Sequence, residues 1–377
     1  MDNQLNSELE ISRNRIDLID SKIIDLLEER QAEVDKVLEF KKSNSLPVRH
    51  PAREEDMISK RRALGKEKNL DPDYLEELFR TILRQSRVEQ TESKSEKGVN
   101  PDATVLIVGG TGGMGKYFAE WFIRSGYETR ILGSRDWENV ESLCIGIDLV
   151  LISVPIDKTV DVIEKISPYI PDNAVLADLT SIKKAPMTAM MDAYKGPVVG
   201  IHPLFGPTTS TMDKQIVVFT PGRNFEACKW IIDQLADWGA IIVQSDEDEH
   251  DRIMAIVQAL RHFATFTFGR FLSRQNIDLL RSLEFSSPIY RLELGMVGRL
   301  FAQAPALYSG IIFASQERRE ILKEYISSMA ETMEIVDKGD KEEFEKQFNE
   351  IAEWFGPFSE QAMRESSFLI DKLIERF

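Results

Sequence analysis

From Thr104 to Gly115 the chain reads Thr-Val-Leu-Ile-Val-Gly-Gly-Thr-Gly-Gly-Met-Gly. An apolar run ends in a glycine-rich loop, and an amphipathic stretch, Lys116 to Ser125, follows. Gly110, Gly112 and Gly115 fit G-x-G-x-x-G at a strand-to-helix junction, the context this pattern needs. The first glycine permits a tight turn, the second lets a pyrophosphate approach the backbone, and the third allows helix and strand to pack closely. Gly113 and Met114 complete the loop. The helix start offers unpaired N–H groups and a positive dipole end to phosphates. The chain is therefore expected to bind a dinucleotide. The loop begins about a hundred residues in, so something else occupies the N-terminal part.

A chain of 377 residues is too long for one core and is expected to form two or three domains. The net charge of −16 argues against nucleic acid as a partner, because a phosphate backbone needs a basic surface. Local arginines can still hold small anions. No apolar run is long enough for a membrane span. The start, MDNQLNSELE, has no signal-peptide pattern. Two cysteines are too few for a disulfide framework. No metal-ligand spacing occurs among the four scattered histidines, and no metal is expected. A cytoplasmic protein is the reading.

Residues 1–92 read as wholly helical. Leu9, Ile16, Ile19, Ile23, Leu27, Val34 and Val37 keep a helical period, so a first helix is expected from about 6 to 42. The break is Ser43-Asn44-Ser45-Leu46-Pro47. A second helix is expected from Pro51, with Gly65 ending it. A third follows Asp71-Pro72, Asp as N-cap and Pro as first helical residue. Residues 93–101 read as a polar linker. Residues 102–245 alternate strand and helix, with strands expected at 104–109, 128–132, 148–153, 174–178, 197–201, 215–220 and 240–244; this implies a mostly parallel, doubly wound α/β sheet of Rossmann type. From 246 to 377 the pattern is helical again. By analogy with other folds, such a domain forms a substrate pocket and often a dimer interface.

The first helix would be roughly 55 Å long at ~1.5 Å per residue, too long for a small domain to cover. It is expected to pair with a copy of itself in a homodimer. Arg30 and Lys41 return to nearly the same face, while Arg13 points about 100° away and could serve the partner's pocket. On spacing alone these cations also fit a solvated helix.

The wider pattern does more. Arg13, Arg30, Lys41, Arg53-Glu54 and Gln90, with Ile-Asp-x-x-Asp at 16–20 and Leu-Leu-Glu-Glu-Arg at 26–30, resembles the active-site set of the all-helical chorismate mutases. The resemblance implies a rearrangement of chorismate to prephenate without covalent catalysis. Arginines would hold the two carboxylates, Lys41 and Gln90 would bond the ether oxygen, and Glu54 the substrate hydroxyl. His50 stands where some relatives carry an aspartate.

After the glycine loop, the second strand ends in Gly133-Ser134-Arg135. An acid there would bind the ribose of NAD; it is missing, and Ser134 and Arg135 suit a 2′-phosphate, so NAD+ or NADP+ is expected with a lean to NADP+. Asp136 could serve NAD+ if the loop shifts. Next come Ser153-Val-Pro155, whose Ser153 and Pro155 should touch the nicotinamide half, then Ser181-Ile-Lys183, then His202-Pro-Leu-Phe-Gly206-Pro207. All follow strand carboxyl ends, where ligands of this fold bind. A lone strand-end histidine is more often structural; beside a serine and a lysine it reads as catalytic.

These motifs, with Gln258-Ala-Leu-Arg261-His262, Ser287-Pro-Ile-Tyr290-Arg291 and Met296-Val-Gly298-Arg299, resemble prephenate dehydrogenase. Nearly end to end, the chain is similar to the bifunctional chorismate mutase/prephenate dehydrogenases. The resemblance implies hydride loss from prephenate with release of CO2. His202 would take the hydrogen bond of the C4 hydroxyl, Ser181 would orient it, Lys183 would hold the local geometry and Arg299 the ring carboxylate. Arg291 would bind substrate or support the pocket. His262 is associated in the family with feedback inhibition by tyrosine; its plain reading is a buried core histidine. The acidic run Ser245–Asp251 reads as a solvated loop, although Glu-His-Asp also suits a pocket edge. Arogenate as the second substrate is the near alternative. A β-hydroxyacid dehydrogenase would need a lysine within 251–270, which is absent; a redox-sensing regulator would need a basic surface or a strict coiled-coil seam.

Overall fold

The computed structural model describes the backbone of residues 2–43, 50–94 and 97–374. Three helices open the chain: α1 (Asp2–Ser43), α2 (Pro51–Glu67) and α3 (Pro72–Lys94). The break expected at Ser43–Pro47 lies largely outside the described residues. Asp71 caps α3 as its sequence implies: its Oδ1 accepts from the Asp73 amide at 2.8 Å. Gly65 does not end α2, which runs on to Glu67. A Cβ at Gly65 would lie 2.5 Å from Leu75 Cδ1, so the glycine serves close approach of α2 and α3. The turn itself falls at Asn69, φ 56°. The polar stretch from 93 is no free tether either. Residues 93–94 are helical, and beyond them Gly98 N–H reaches Ser125 O at 2.8 Å while Val99 N–H reaches Gln234 Oε1 at 2.8 Å.

All seven expected strands form: β1 (Thr104–Val108), β2 (Glu128–Leu132), β3 (Leu149–Ile152), β4 (Val175–Asp178), β5 (Val198–Pro203), β6 (Ile216–Pro221) and β7 (Ile241–Gln244). Their order in one sheet is β2-β1-β3-β4-β5-β6-β7. Every pair is parallel except β5–β6, where His202 stands opposite Val218. β1, β3 and β4 are buried along their whole length, as strands covered on both faces must be, and hence read as unbroken apolar runs. Intervening helices are α4 (Gly113–Arg124), α5 (Val140–Leu143), α6 (Thr159–Ile166), α7 (Lys184–Ala193) and α8 (Lys229–Asp237). One side of the sheet is filled by Phe118, Trp121 and Phe122 of α4 against Trp238, with ring centroids 5.0–6.4 Å apart.

The remaining elements are helices: α9 (Glu247–Met254), a π segment (Ala255–Leu260), α10 (Arg261–Arg274), α11 (Leu279–Glu284), α12 (Pro288–Phe301), α13 (Pro305–Ile312), α14 (Gln316–Lys338), α15 (Lys341–Phe355) and α16 (Pro357–Ile374). Two compact units result. One comprises Met1–Ser153, Ile166–Leu179 and Met190–Gln244; the other comprises Val154–Lys165, Thr180–Ala189 and Ser245–Phe377.

At the β1–α4 junction of the first unit, helix and strand backbones are in close contact. A Cβ at Gly115 would sit 2.4 Å from Gly109 O and 2.8 Å from Gly110 Cα, both backbone atoms. Gly115→Ala must therefore displace α4, at a cost of about 1–3 kcal/mol. Thermal melts should show a lowered Tm together with weakened dinucleotide binding; unchanged stability and binding would contradict this packing account.

Candidate functional sites

The helical N-terminal region gathers cations. On α1, positions 9–29 are exposed, whereas Arg30, Gln31, Val34, Leu38 and Lys41 form a half-buried to buried stripe at helical spacing. Arg30 Nη1 donates to Ser86 Oγ of α3 at 2.7 Å. Burial, and then the charge of Arg61, lowers the Arg30 pKa. Two guanidiniums thus share one environment, which a dianionic ligand would relieve. Gln90 is buried, and its Oε1 has no hydrogen-bond partner among the described residues. An orphaned buried amide oxygen, one helical turn from the Ser86 that bonds Arg30, marks a place for a polar ligand. Glu54 Oε2 accepts from Arg87 Nη1 at 2.9 Å. Arg53 is exposed, as is Arg13, which pairs with Glu10 at 3.3 Å. Arg13 therefore stands apart from the half-buried stripe of its own helix. His50 supplies what an aspartate would: its Nδ1 accepts from the Arg53 amide at 3.2 Å and caps α2. Arg61, Ser86 and Arg87 were not singled out in the sequence, where they read as ordinary polar positions of an amphipathic helix.

In the sheet, the strand carboxyl ends carry the second set. Gly109 N–H donates to Leu132 O at 2.8 Å, and Ser153 N–H to Val108 O at 2.8 Å, so the ends of β1, β2 and β3 lie level. Gly112 is the N-cap of α4 and contributes no side-chain cap, leaving the first-turn amides of Gly113, Met114 and Gly115 free for an anion. A Cβ at Gly110 would meet Ile131, and one at Gly113 would lie 3.0 Å from Pro207 Cγ. Pro207 lies in the loop that follows His202, and Phe205 of that loop packs its ring 5.7 Å from Tyr117 of α4. The loop after buried His202 is thereby seated on the start of α4, beside the glycine loop. These backbone geometries fit a dinucleotide. After β2, Ser134 and Arg135 are exposed, while Asp136 folds back, its Oδ2 accepting from the Gly133 amide at 3.0 Å. An acid is thus present at the end of β2, three residues later than the sequence pattern led one to look.

In the second unit, the Ser181–Lys183 segment is pinned from two sides. Arg318, 1% exposed, donates from Nη2 to Ser181 O at 3.0 Å and from Nη1 to Ile311 O at 2.7 Å. Asp251 accepts from the Lys183 amide at 2.7 Å and the Lys184 amide at 3.1 Å, and lies 2.8 Å from His250 Nδ1. Burial alone would raise the Asp251 carboxyl; the bonds from His250 and the two amides outweigh it and hold the group below its usual range. Lys183 is fully buried. The acidic run is not a loop: Asp246 caps α9, Glu247 to Glu249 fill its first turn, where the helix dipole favours acids, and His250 is 2% exposed. Arg318 was not singled out in the sequence because the Ser181 carbonyl it holds lies 137 residues away.

Arg299, in the last turn of α12, is exposed, and its guanidinium makes no hydrogen bond or ion pair among the described residues. Arg291 instead donates from Nη2 to Leu283 O at 2.6 Å and ties α12 to the end of α11. Pro155 accepts from Thr159 Oγ1 at 3.2 Å. His262 follows the π segment, with its ring 4.8 Å from Tyr308 and its Nδ1 unpartnered. Burial, and then Arg261, pushes its pKa down to about 4, so it is neutral at pH 7.

Three family descriptions match in sequence: "Chorismate mutase type II" at residues 12–91, "Prephenate dehydrogenase, nucleotide-binding domain" at 132–244 and "Prephenate dehydrogenase, dimerization domain" at 246–350. The chain is 40% identical over 365 residues to the T-protein of Enterobacter agglomerans, covering 97% of each chain. It is 38% identical to the T-protein of Haemophilus influenzae, covering 96% of each. Among solved structures, prephenate dehydrogenase from Aquifex aeolicus, in complex with hydroxyphenyl propionate and NAD+, aligns at TM-score 0.54 and 20% identity over 66% of this chain and 96% of that one. At that identity the likeness concerns the fold.

The lowered pKa of His262 has a consequence for stability. The unfolded imidazole binds a proton near pH 6.5, the folded one only near 4, so the unfolded state holds more protons between these values. Stability should fall as pH drops from 6.5 toward 4. The Tm of His262→Asn should lose less over that window than wild type; equal losses would contradict the burial argument.

Proposed function

The chain belongs to the T-protein family, and from that premise we propose that it carries out two consecutive reactions of tyrosine biosynthesis, chorismate to prephenate and prephenate to 4-hydroxyphenylpyruvate. The observation that carries the reading is that both cradles occur in one chain: a partly buried cation pair with an orphaned amide, and a glycine junction beside a strand-end histidine. Relatives that align over almost the whole chain favour prephenate over arogenate as the second substrate, and the first domain makes it.

In the first reaction the ether C–O bond of chorismate breaks as a C–C bond forms, with no proton transfer. Arg30 holds a carboxylate, assisted by Arg61. Lys41 and Gln90 bond the ether oxygen as it gains charge, Glu54 takes the hydroxyl, and Arg53 and Arg13 complete the cation set, Arg13 reaching the partner's pocket. The exposed apolar residues of α1, among them Ile16, Ile19, Ile23 and Leu27, support pairing with a second copy. So does the dimerization-domain match at 246–350.

In the second reaction prephenate loses a hydride from C4 and its ring carboxylate as CO2. Bound NAD(P)+ supplies the hydride acceptor. His202 accepts the hydrogen bond of the C4 hydroxyl and stabilises the charge that develops as C4 becomes a carbonyl; the proton returns to that oxygen as the ring aromatises. Ser181 orients the hydroxyl, Lys183 keeps the local geometry, and Arg299 binds the ring carboxylate with a charge that does not titrate. Gly110, Gly112, Gly113, Met114 and Gly115 would hold the pyrophosphate of NAD(P)+, and Ser153 and Pro155 would line the nicotinamide half. Ser134 and Arg135 read a 2′-phosphate, giving a lean to NADP+, and Asp136 keeps NAD+ in use. Tyrosine inhibits through His262. Two buried free thiols suit a reducing, cytoplasmic setting. No helix among the described residues is long and apolar enough to cross a membrane.

The assignments separate by assay. His202→Asn should lower dehydrogenase kcat by about 10²–10⁴-fold with little change in KM, while Arg299→Gln mainly raises KM for prephenate. Arg30→Ala should abolish mutase activity and spare the dehydrogenase. Full dehydrogenase activity in both of the first two variants would refute their roles. Arg135→Ala should weaken NADP+ binding, measured by fluorescence titration, at least about tenfold while NAD+ binding is kept; equal loss of both cofactors would remove Arg135 from the 2′ position.

A further inference from the structure

Arg87 lies on α3 at 6% exposure and faces two carboxylates from distant parts of the chain. Its Nη1 donates to Glu54 Oε2 of α2 at 2.9 Å, and its Nε to Asp213 at 3.1 Å from each carboxylate oxygen. The side chains of Arg87, Asp213 and Glu54 are 8%, 6% and 16% exposed. Asp213 belongs to the segment between β5 and β6, so a residue of the sheet domain reaches into the helical bundle. The backbone there is fixed: Asp213 N–H donates to Thr211 Oγ1 at 3.1 Å, and Lys214, at φ 60°, donates its N–H to Gly239 O at 3.0 Å. The Glu55 carboxyl is held below its usual range mainly by hydrogen bonds to Arg80, and also by the charge of Lys214.

The turn of α3 that carries Arg87 also carries Ser86, bonded to Arg30, and Gln90, whose amide oxygen is orphaned. We propose that Asp213 is a positioning residue of the mutase site: it anchors Arg87, Arg87 aims Glu54, and the sheet domain is thereby a structural part of the mutase pocket. One arginine between two carboxylates divides its charge. Glu54 keeps part of its negative charge unspent and remains a strong acceptor for a substrate hydroxyl. With Asp213 neutralised, the guanidinium falls wholly to Glu54, which then accepts less well from substrate. Removal of Arg87 would leave two carboxylates buried together, so the informative change is at Asp213. The inference rests on the mutase reading of residues 12–91 and on Glu54 as a substrate ligand.

The test uses the full chain as Asp213→Asn, Glu54→Gln and the double variant, assayed for both activities. Asp213→Asn should raise mutase KM for chorismate about tenfold, within the usual coupling range of contacting residues, with kcat nearly unchanged. Dehydrogenase kcat at saturating prephenate should stay at the wild-type value. In the Glu54→Gln background the same change should shift KM less than about twofold, because its route of action is gone. Should Asp213→Asn itself perturb folding, Asp213→Glu, which keeps the charge, should restore KM. A changed Glu54→Gln with an unchanged Asp213→Asn overturns the clamp alone; an unchanged Glu54→Gln overturns the Glu54 assignment and the clamp with it. Equal Asp213→Asn effects in both backgrounds show that it acts on something other than Glu54 and also overturn the proposal.

Discussion

The backbone of α4 lies so close to the end of β1 that no side chain fits at Gly115, where a Cβ would be 2.4 Å from a carbonyl oxygen. That contact holds the first turn of α4 over the strand ends, with its amides uncapped. Pro207 then seats on Gly113 and Phe205 on Tyr117, so the loop leaving His202 is fixed by the same helix. The strand ends stay level because each first loop amide still bonds its neighbour, Gly109 to Leu132, Ser153 to Val108 and Leu179 to Ile152. One packing constraint thus prepares the anion cradle and locates the residue assigned to hydride chemistry.

The helical bundle solves a different electrostatic problem. Its ligand is dianionic and undergoes no proton transfer, so the useful device is fixed positive charge kept from its own carboxylates. Arg30 is bonded to a neutral hydroxyl, Ser86, rather than to an acid, and Arg61 adds a second charge nearby. Elsewhere in the bundle the arginines are spent on acids: Arg62 on Asp73 and Glu76, Arg80 on Glu55 and Glu76. Those exposed pairs contribute little to stability. Arg30 thus keeps its charge for a ligand, which these surface arginines do not.

The sheet was legible because buried parallel strands print themselves as unbroken apolar runs, and all seven expected strands form within a residue or two of their bounds. The glycine loop was legible because Gly115 leaves no room for a Cβ and Gly109 sits at φ 84°. Less was visible where meaning depends on a distant partner. Gly65 looked like a stop, but it lies within α2, where the Leu75 side chain of another helix packs against it. The acidic run before His250 looked solvated, although Asp246 makes it a capped first turn. The late acid at Asp136 returns to Gly133 through a turn that strand-end counting did not anticipate. Arg87 and Arg318 look like any other arginine in a helix; their roles come from Asp213, 126 residues away, and from the Ser181 carbonyl, 137 residues away.

The central claim is that two complete ligand sites, built from different residues, coexist in one chain. Calorimetric titration tests it most directly. The protein is titrated with a bicyclic diacid that mimics the transition state of the chorismate rearrangement, first alone and then with NAD+ and 4-hydroxyphenylpropionate already saturating. Two separate sites predict the same stoichiometry for the diacid in both titrations. Loss of diacid binding sites once the dehydrogenase ligands are bound, in proportion to their occupancy, would mean a single shared pocket and would contradict the account.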